Sequence, residues 1–194
     1  MDFVLDLDKS LFVFFNSLGS EYFDSFWLFI SESDIIEVIY LFLVIEFLRF
    51  FKIKDLKSIL IFLLSMILMI VFTDQSSNFF KEFFERLRPC HNPELIEIIR
   101  IVKDGCGGLY GFFSAHAANT FAFASFIYFL TPNENNYKRT SFLLFIWAAI
   151  ISYSRIYIGV HFPLDIIIGA IYGFLSGYLF HKPFLYFRKS KLIL

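Results

Sequence analysis

The sequence predicts an all-α fold: an integral membrane helical bundle of five transmembrane helices, with six as the alternative, preceded by short interfacial helices. Hydrophobic residues make up 58% of the 194 residues and aromatic residues 22%, whereas a soluble domain averages about 45–50% apolar residues. Long uncharged runs recur along the chain. They lack the alternation of β-barrel strands, so we expect them to span the membrane as helices. The length fits a single domain, residues 1–194.

The N-terminal residues 1–33 predict a pair of short helices rather than a membrane span. Residues 7–30 are apolar but are interrupted by Asn16, Gly19, Glu21 and Asp24. Charges are penalised in the middle of a bilayer, so we expect two helices that lie in the membrane interface. A sixth span over residues 7–30 is the alternative. The acidic start, "MDFVLDLDKS", lacks the basic region of a signal peptide.

Residues 34–182 predict the transmembrane core. Four uncharged runs lie at residues 58–73, 117–133, 140–154 and 166–180. Each can be extended to about 20 residues, the length that a spanning helix needs. Residues 34–51 are a fifth candidate, which Glu37 and Glu46 weaken.

The cations predict which side of the membrane each connection faces. Three basic groups lie between the first and second spans, between the third and fourth, and after the fifth: Arg49, Lys52, Lys54 and Lys57; Lys138 and Arg139; Lys182, Arg188, Lys189 and Lys191. The positive-inside rule places them in the cytoplasm, with a basic cytoplasmic tail at 183–194. The N-terminus, an outer loop at 89–113 and residues 154–165 then face outward. The outward segment 74–113 holds five more cations, which a bound anion would explain: Lys81, Arg86, Arg88, Arg100 and Lys103.

Both cysteines lie in this outer segment. Cys90 and Cys106 enclose a loop that contains Gly and Pro. Outside the cytoplasm a disulfide between them is favoured over two free thiols, and it would contribute about 3 kcal/mol for a loop of this size. No zinc-type CxxC pair occurs. The net charge of -1 says nothing about partners, but the sequence has no basic stripe and no nucleic-acid motif, so we expect no nucleic-acid partner.

Two polar motifs fall at the predicted outer ends of helices. In "KEFFERLRP", Lys81 and Arg88 are seven residues apart and share one helix face. In "FFSAHAAN", Ser114 is a natural N-cap and His116 falls in the first helical turn. Taken singly, these are also the features of a solvated helix end and of an ordinary cap.

The third motif, "SRIYIGVHFPLD", connects two apolar runs. Pro163 suits the first turn of the last helix. Arg155 would end the preceding helix, and His161 would lie just before the next one. Asp165 would then be close enough to accept a hydrogen bond from the His161 imidazole.

Together the three motifs predict a phosphate-cleaving site on the outer face. Ionisable groups at membrane depth are functional candidates, and cations beside helix N-termini bind phosphate. His161 with Asp165 resembles a nucleophile with its orienting group, and His116 would protonate the departing oxygen. A metal held by the two histidines and the aspartate is the competing use. We expect no metal and no cofactor, because three neighbouring cations would repel a divalent ion.

These motifs resemble the type 2 phosphatidic acid phosphatases, an integral-membrane branch of a wider acid phosphatase superfamily. The first and third family motifs match in full, through Lys81, Arg88 and Pro89, and through Ser154, Arg155, His161 and Asp165. The second departs from the family pattern Pro-Ser-Gly-His. Phe113 replaces the Pro and Ala115 replaces the Gly, whereas Ser114 and His116 remain.

The resemblance implies a role for each matched residue. His161 would be the nucleophile that becomes phosphohistidine, Asp165 would orient it, and His116 would be the acid. The phosphate would be bound by Lys81, Arg88, Ser114, Ala115 and Arg155. Ala115 keeps its backbone N–H but adds a methyl group near the phosphate. The N-terminal segment resembles the paired interfacial helices of this family.

The resemblance also implies a lipid phosphate as the partner. The site would lie on the extracytoplasmic face of a bacterial inner (cytoplasmic) membrane. Undecaprenyl diphosphate is the expected substrate, with phosphatidylglycerol phosphate or phosphatidic acid as the alternative. A non-catalytic protein that binds or transports lipid phosphates is a remote alternative. No feature of the sequence indicates an oligomeric state.

Overall fold

The computed structural model describes residues 2–32, 35–50, 53–131 and 135–189. Within these ranges the chain is helical, with no β-strand, as the sequence predicts. The seven α-helices are α1 (Asp2–Ser17), α2 (Glu21–Glu32), α3 (Ile35–Phe50), α4 (Leu56–Phe84), α5 (Ala115–Leu130), α6 (Asn135–Tyr157) and α7 (Pro163–Lys189). A 3-10 turn at Pro89–His91 lies between α4 and α5.

Each predicted span corresponds to one helix, from α3 to α7. In the described part of the chain, two segments are long and apolar enough to cross a membrane: α4 and the Pro163–Tyr186 part of α7. The apolar part of α6 is Ser141–Tyr157. Helices α3 and α5 have 16 residues each, fewer than the roughly 20 that a perpendicular span needs. The number of spans therefore stays a prediction.

Some predicted boundaries and cations lie outside the described residues. These are the boundary at 33–34, the span ends at 51 and 132–133, Lys52 and Lys191. The predicted tail at 183–194 is helical as far as it is described, because α7 continues through Pro183 to Lys189.

The N-terminal residues form two helices, with a break at 18–20 in place of one continuous span. Asn16, which is 1% exposed, anchors this pair near the break. Its Nδ2 donates to the carbonyl oxygens of Arg100 and Tyr157, both at 3.0 Å, and its Oδ1 accepts from Arg100 N at 2.7 Å. A Cβ added at Gly19 would lie 2.1 Å from Arg100 Nη1. The pair is thus fixed to the 85–114 connection and to the last turn of α6.

An aromatic core packs between the helices away from the three motifs. Phe62 of α4 is fully buried. Its ring lies 5.2–5.5 Å from the rings of Phe47, Phe126 and Phe184. This cluster joins α3, α4, α5 and α7 into one bundle.

Small residues bring α5 and α7 into close contact. A Cβ added at Gly173 would lie 2.1 Å from Ala118 O, and one at Gly177 would lie 1.9 Å from Ser125 Oγ. Stripes of small residues allow membrane helices to approach this closely. The approach sets the two helix N-termini side by side, where Ser114 N donates to Asp165 O at 3.1 Å. The second and third motifs therefore meet.

The connection between α4 and α5 folds back on itself. Its two ends run antiparallel, with hydrogen bonds from Arg88 N to Leu109 O at 3.1 Å and from Gly111 N to Arg86 O at 2.8 Å. The sulfurs of Cys90 and Cys106 are paired, with 6.2 Å between the Cα atoms. This connection carries the end of the first motif to the start of the second.

Candidate active site

All three motifs end at the same pole of the bundle. Their functional candidates come from helix termini and from the two connections at that pole: Lys81 in α4, Arg88 after it, Ser114, Ala115 and His116 at the start of α5, Arg155 in α6, His161 before α7, and Asp165 in its first turn. Arg155, Arg88 and Lys81 all act electrostatically on the His161 imidazole. The structure therefore brings together the residues that the motifs single out.

His161 is buried, with 2% of its surface exposed. Its Nδ1 lies 3.5 Å from Asp165 Oδ2, longer than a normal hydrogen bond, and has no hydrogen-bond partner among the described residues. Burial lowers the pKa of His161 well below its ordinary value, and the charges of Arg155, Arg88 and Lys81 lower it further. The ring is therefore neutral at physiological pH, which is the nucleophilic form.

Asp165 is held by two donors besides its contact with His161. Arg86 Nη1 donates to Oδ1 at 2.6 Å, and Phe162 N donates to Oδ2 at 3.0 Å. The Arg86 guanidinium also lies over the Phe162 ring, 4.3 Å from its centroid. The motifs assign no role to Arg86, although it lies inside "KEFFERLRP".

Arg86 is itself fixed by the N-terminal helix. Its Nη2 donates to Asp8 Oδ2, and Asp8 Oδ1 accepts from Leu164 N at 2.8 Å. Asp8 is 5% exposed. The two carboxylates and the guanidinium between them form a buried chain, which we call the Asp8–Arg86–Asp165 chain. No sequence signal relates Asp8 to this site.

Arg88 is held by the backbone of the folded connection. Its Nε donates to Tyr110 O and its Nη1 to Cys106 O, both at 3.1 Å. Burial lowers the pKa of Arg88, and the nearby charge of Arg155 lowers it further. Lys81 donates to Asn78 Oδ1 at 3.3 Å. Cations crowded in this way favour a bound anion.

Arg155 already has an anionic partner. Its Nη1 donates to Ser31 O at 3.1 Å and to Glu32 Oε1 at 2.5 Å. Its side chain is 3% exposed, and its buried Nε has no hydrogen-bond partner among the described residues. The motifs do not predict this contact with the end of α2.

The start of α5 has the predicted cap. Ser114 is fully buried, and its Oγ accepts from Ala117 N at 3.4 Å. Ala115 is the first residue of the helix. The His116 side chain in the first turn is exposed, and it lies within electrostatic reach of Arg155 and His161. An accessible imidazole here could exchange protons with a bound group and with water.

One cluster of metal-ligand side chains occurs in the described part of the chain. The ligand atoms of Cys90, His91 and Cys106 lie within 4.8 Å of one another. The disulfide engages both sulfurs, so the pair is not in the thiolate form that binds metals.

Comparisons with known proteins agree with this geometry. The profile of a family described as the PAP2 superfamily matches residues 58–189. A lipid A 4'-phosphatase of Porphyromonas gingivalis is 34% identical over 198 residues, which cover 99% of this chain and 79% of the relative. A lipid A 4'-phosphatase of Bacteroides thetaiotaomicron is 34% identical over 184 residues, 93% of this chain and 78% of the relative.

Two solved structures share the architecture. The crystal structure of Aquifex aeolicus LpxE superposes with a TM-score of 0.60 at 26% identity and covers 91% of this chain and 95% of that chain. A PAP2-type phosphatidylglycerolphosphate phosphatase of Bacillus subtilis superposes with a TM-score of 0.67 at 19% identity, covering 93% and 85%. At that identity the second likeness concerns the fold alone.

Proposed function

This chain belongs to the PAP2 superfamily, and we propose that it cleaves phosphate from a membrane lipid through a phosphohistidine at His161. The observation that carries the proposal is the environment of the His161 imidazole. It is buried and neutral, its Nδ1 lies 3.5 Å from Asp165 Oδ2, and the charges of Lys81, Arg88 and Arg155 all act on it. Such a group can attack a phosphorus atom that the cations hold.

The chemistry would proceed in two steps. Nε2 of His161 attacks phosphorus, the bond from phosphorus to the lipid oxygen breaks, and His116 gives that oxygen a proton. The Nδ1 proton of the resulting phosphoimidazole faces Asp165, whose negative charge stabilises it. A water molecule then attacks the phosphohistidine while His116 takes up its proton. Inorganic phosphate leaves and both histidines return to their starting forms.

The phosphate itself would be held by four elements. Lys81, Arg88 and Arg155 offer charged N–H donors, and the first turn of α5 offers backbone N–H groups at Ala115 and beyond. Ser114 caps this turn. We expect no metal ion, because the developing negative charge would be met by these cations.

We propose phosphorylated lipid A as the substrate. The support is the pair of relatives named lipid A 4'-phosphatase, each 34% identical and aligned along more than nine-tenths of this chain. Undecaprenyl diphosphate, which the sequence favours, has no comparable support from these relatives. The site would face the outer leaflet of a bacterial inner membrane, where the motif-bearing ends of the helices lie opposite the basic connections.

The test is phosphate release by the detergent-purified protein in the presence of EDTA. The substrates compared are phosphorylated lipid A, undecaprenyl diphosphate, phosphatidylglycerol phosphate and phosphatidic acid. We expect release that survives EDTA and is fastest with lipid A. Release that EDTA abolishes would contradict the metal-free site. No release from any of the four would favour the non-catalytic binding protein.

A further inference from the structure

Glu32, at the end of α2, bridges two cations of the site. Its Oε1 accepts from Arg155 Nη1 at 2.5 Å, and its Oε2 accepts from Lys103 Nζ at 2.5 Å. The carboxylate also acts electrostatically on Arg88. The proposed mechanism uses neither Glu32 nor Lys103.

We propose that Lys103 is a fourth phosphate-binding cation, and that Glu32 holds the place of the phosphate on Lys103 and Arg155 until substrate displaces it. The inference rests on the proposed function of the site. One acid group satisfies both cations here with its two neighbouring oxygens. A phosphate group presents neighbouring oxygens in the same way and carries more charge, so it can take over both contacts.

The exposure of the three side chains indicates which partner is free to move. Arg155 is 3% exposed, whereas Glu32 is 34% and Lys103 24% exposed. A buried cation needs an anionic partner, and at rest Glu32 supplies one. Glu32 sits at the last residue of its helix and can swing toward solvent, while the base of Arg155 stays within α6.

A hydrogen-bond donor that Glu32 leaves without a partner also favours the replacement of Glu32 by phosphate. Arg155 Nε is buried and has no hydrogen-bond partner within the described residues. Glu32 directs one oxygen to Arg155 Nη1 and the other to Lys103, and neither oxygen contacts Nε in this arrangement. A phosphate has a further oxygen that can accept from Nε. Because an unpaired buried donor is costly, phosphate satisfies this pocket better than Glu32 does.

The exchange would also aid product release. After hydrolysis, Glu32 can return to Arg155 and Lys103 and displace inorganic phosphate. Without its carboxylate the product would be held more tightly. The affinity for inorganic phosphate therefore reports the exchange without any turnover.

The experiment measures the binding of inorganic phosphate to the full-length, detergent-solubilised protein by calorimetry. Glu32→Gln should lower the phosphate Kd about tenfold, because the negative charge no longer competes for Arg155 and Lys103. The matched control is Glu94→Gln. Glu94 pairs with Lys9 at 2.5 Å, again between the N-terminal helices and the 85–114 connection. The Glu94→Gln substitution therefore removes one negative charge without freeing Arg155, and we expect it to change the phosphate Kd less than twofold.

Two more variants separate the parts of the proposal. Glu32→Asp keeps the charge but is too short to bridge both cations, so it should bind phosphate more tightly than the wild type. Glu32→Asp also tests the competition if Glu32→Gln fails to fold.

Lys103→Gln, made in the Glu32→Gln background, should weaken phosphate binding at least about fivefold, because a charged donor is lost. Lys9→Gln in the same background should leave Kd unchanged.

Each failure has its own meaning. If phosphate binds neither the wild type nor Glu32→Gln, the proposed phosphate site is wrong and the inference falls with it. If the wild type binds phosphate but Glu32→Gln binds no more tightly than Glu94→Gln, Glu32 does not compete, and only the inference is overturned. If Lys103→Gln has no effect, Lys103 does not bind the phosphate.

Discussion

At the scale of single residues, the carboxylate of Asp165 faces both the proposed nucleophile, His161, and the cation of Arg86. One oxygen lies near His161 Nδ1 and the other accepts from Arg86. Arg86 keeps the carboxylate from rotating, and Asp8 keeps Arg86 from moving. A residue of α1, far away in the sequence, thus supports the carboxylate that faces His161.

Asp165→Asn should lower turnover while phosphate still binds. The amide lacks the charge that stabilises the imidazolium-like intermediate, and it leaves the phosphate-binding cations in place. We expect kcat to fall at least about 100-fold and the Kd for inorganic phosphate to change less than about threefold. Steady-state kinetics with calorimetry checks both. Unchanged turnover would contradict the orienting role of Asp165.

Asp8→Asn should reduce kcat about tenfold with KM nearly unchanged, because Arg86 then positions Asp165 less firmly. Stability should also fall by about 2 kcal/mol, since a charge-assisted hydrogen bond is weakened. The control is Asp6→Asn, an exposed aspartate on the same helix, which should change neither. The measurement is the split between kcat and KM, together with thermal unfolding. A change in KM alone would argue against positioning through Arg86.

The exchange at Glu32 should depend on pH in a defined direction. Burial raises the pKa of Glu32, but hydrogen bonds from Lys103 and Arg155 outweigh it and leave the pKa below its ordinary value of 4.5. A carboxyl with a lowered folded-state pKa contributes its interaction above the unfolded pKa and loses it as the pH falls through the folded pKa. The charges facing Glu32 are those of Lys103, Arg155, Arg88 and His116.

The ratio of phosphate Kd between the wild type and Glu32→Gln should therefore stay near tenfold from about pH 5.5 to about pH 8. It should shrink toward one below about pH 4.5, where Glu32 becomes protonated. The titration of phosphate itself affects both proteins equally and therefore cancels in this ratio. Calorimetry at several pH values gives the curve. A ratio that already collapses near pH 6.5 would indicate that a histidine, not Glu32, controls the competition.

Motif spacing was sufficient for part of this site only. Lys81, Arg88 and Arg155 could be singled out from the spacing of the motifs. The expected helix face shared by Lys81 and Arg88 is wrong, because α4 ends at Phe84 and Arg88 lies in the extended connection after it. Asp8 and Glu32 could not. They reach the site through contacts that span 78 residues to Arg86 and 123 residues to Arg155, and nothing local in the sequence encodes such long-range pairs.

At the scale of the helices, the contact between α5 and α7 sets Ser114 and Asp165 side by side. Gly173→Val should separate these helices, because its Cβ would lie 2.1 Å from Ala118 O, a backbone atom that cannot move alone. Overpacking of this kind costs about 1–3 kcal/mol or more. The control, Ile171→Phe, adds bulk on a side chain that is 53% exposed. Thermal unfolding in detergent compares them, and equal melting temperatures would contradict the close contact.

The connection between α4 and α5 gives a prediction of its own. Pairing of Cys90 and Cys106, 16 residues apart, should stabilise the fold by about 3 kcal/mol. Reduction should lower the melting temperature and weaken phosphate binding, since Arg88 donates to Cys106 O. Thermal unfolding with and without reductant is the measurement. Identical stability and identical electrophoretic mobility would argue that the pair is not formed.

The uncharged runs predicted where the helices lie but not where they end. The run at 58–73 belongs to α4, which continues to Phe84, because helical backbone hydrogen bonds persist into a region where side chains are polar. Likewise, the polar interruptions at the N-terminus predicted two helices. The docking of these helices could not be predicted, because Asn16 donates to carbonyl groups of segments that are distant in the sequence.

At the scale of the whole molecule, the N-terminal helices contact the candidate site from outside the region that carries the family motifs. The matched family region starts at residue 58. Two earlier residues nevertheless reach the candidate site: Asp8 accepts from Arg86, which also donates to Asp165, and Glu32 accepts from Arg155. The pair thus links α6, α7 and the 85–114 connection at one pole. On the proposed mechanism, the N-terminal helices would affect both the binding of phosphate and the position of His161.

The bundle as a whole explains why charged groups lie beside apolar helices. Exposed apolar side chains cover α4 and α7, whereas Lys81, Arg88 and Arg155 lie at the pole where the helices meet the 85–114 connection. A lipid phosphate would find its charge matched at that pole while its chains stay among apolar side chains. This placement suits a substrate that never leaves the bilayer.

The most direct test is to trap the phosphorylated intermediate. The protein is mixed with lipid A labelled with radioactive phosphate, in EDTA, and quenched with alkali, in which phosphohistidine is stable. We predict label on the wild type and on His91→Ala, a histidine outside the proposed mechanism, and none on His161→Ala. Equal labelling of His161→Ala, or turnover by that variant, would contradict the account.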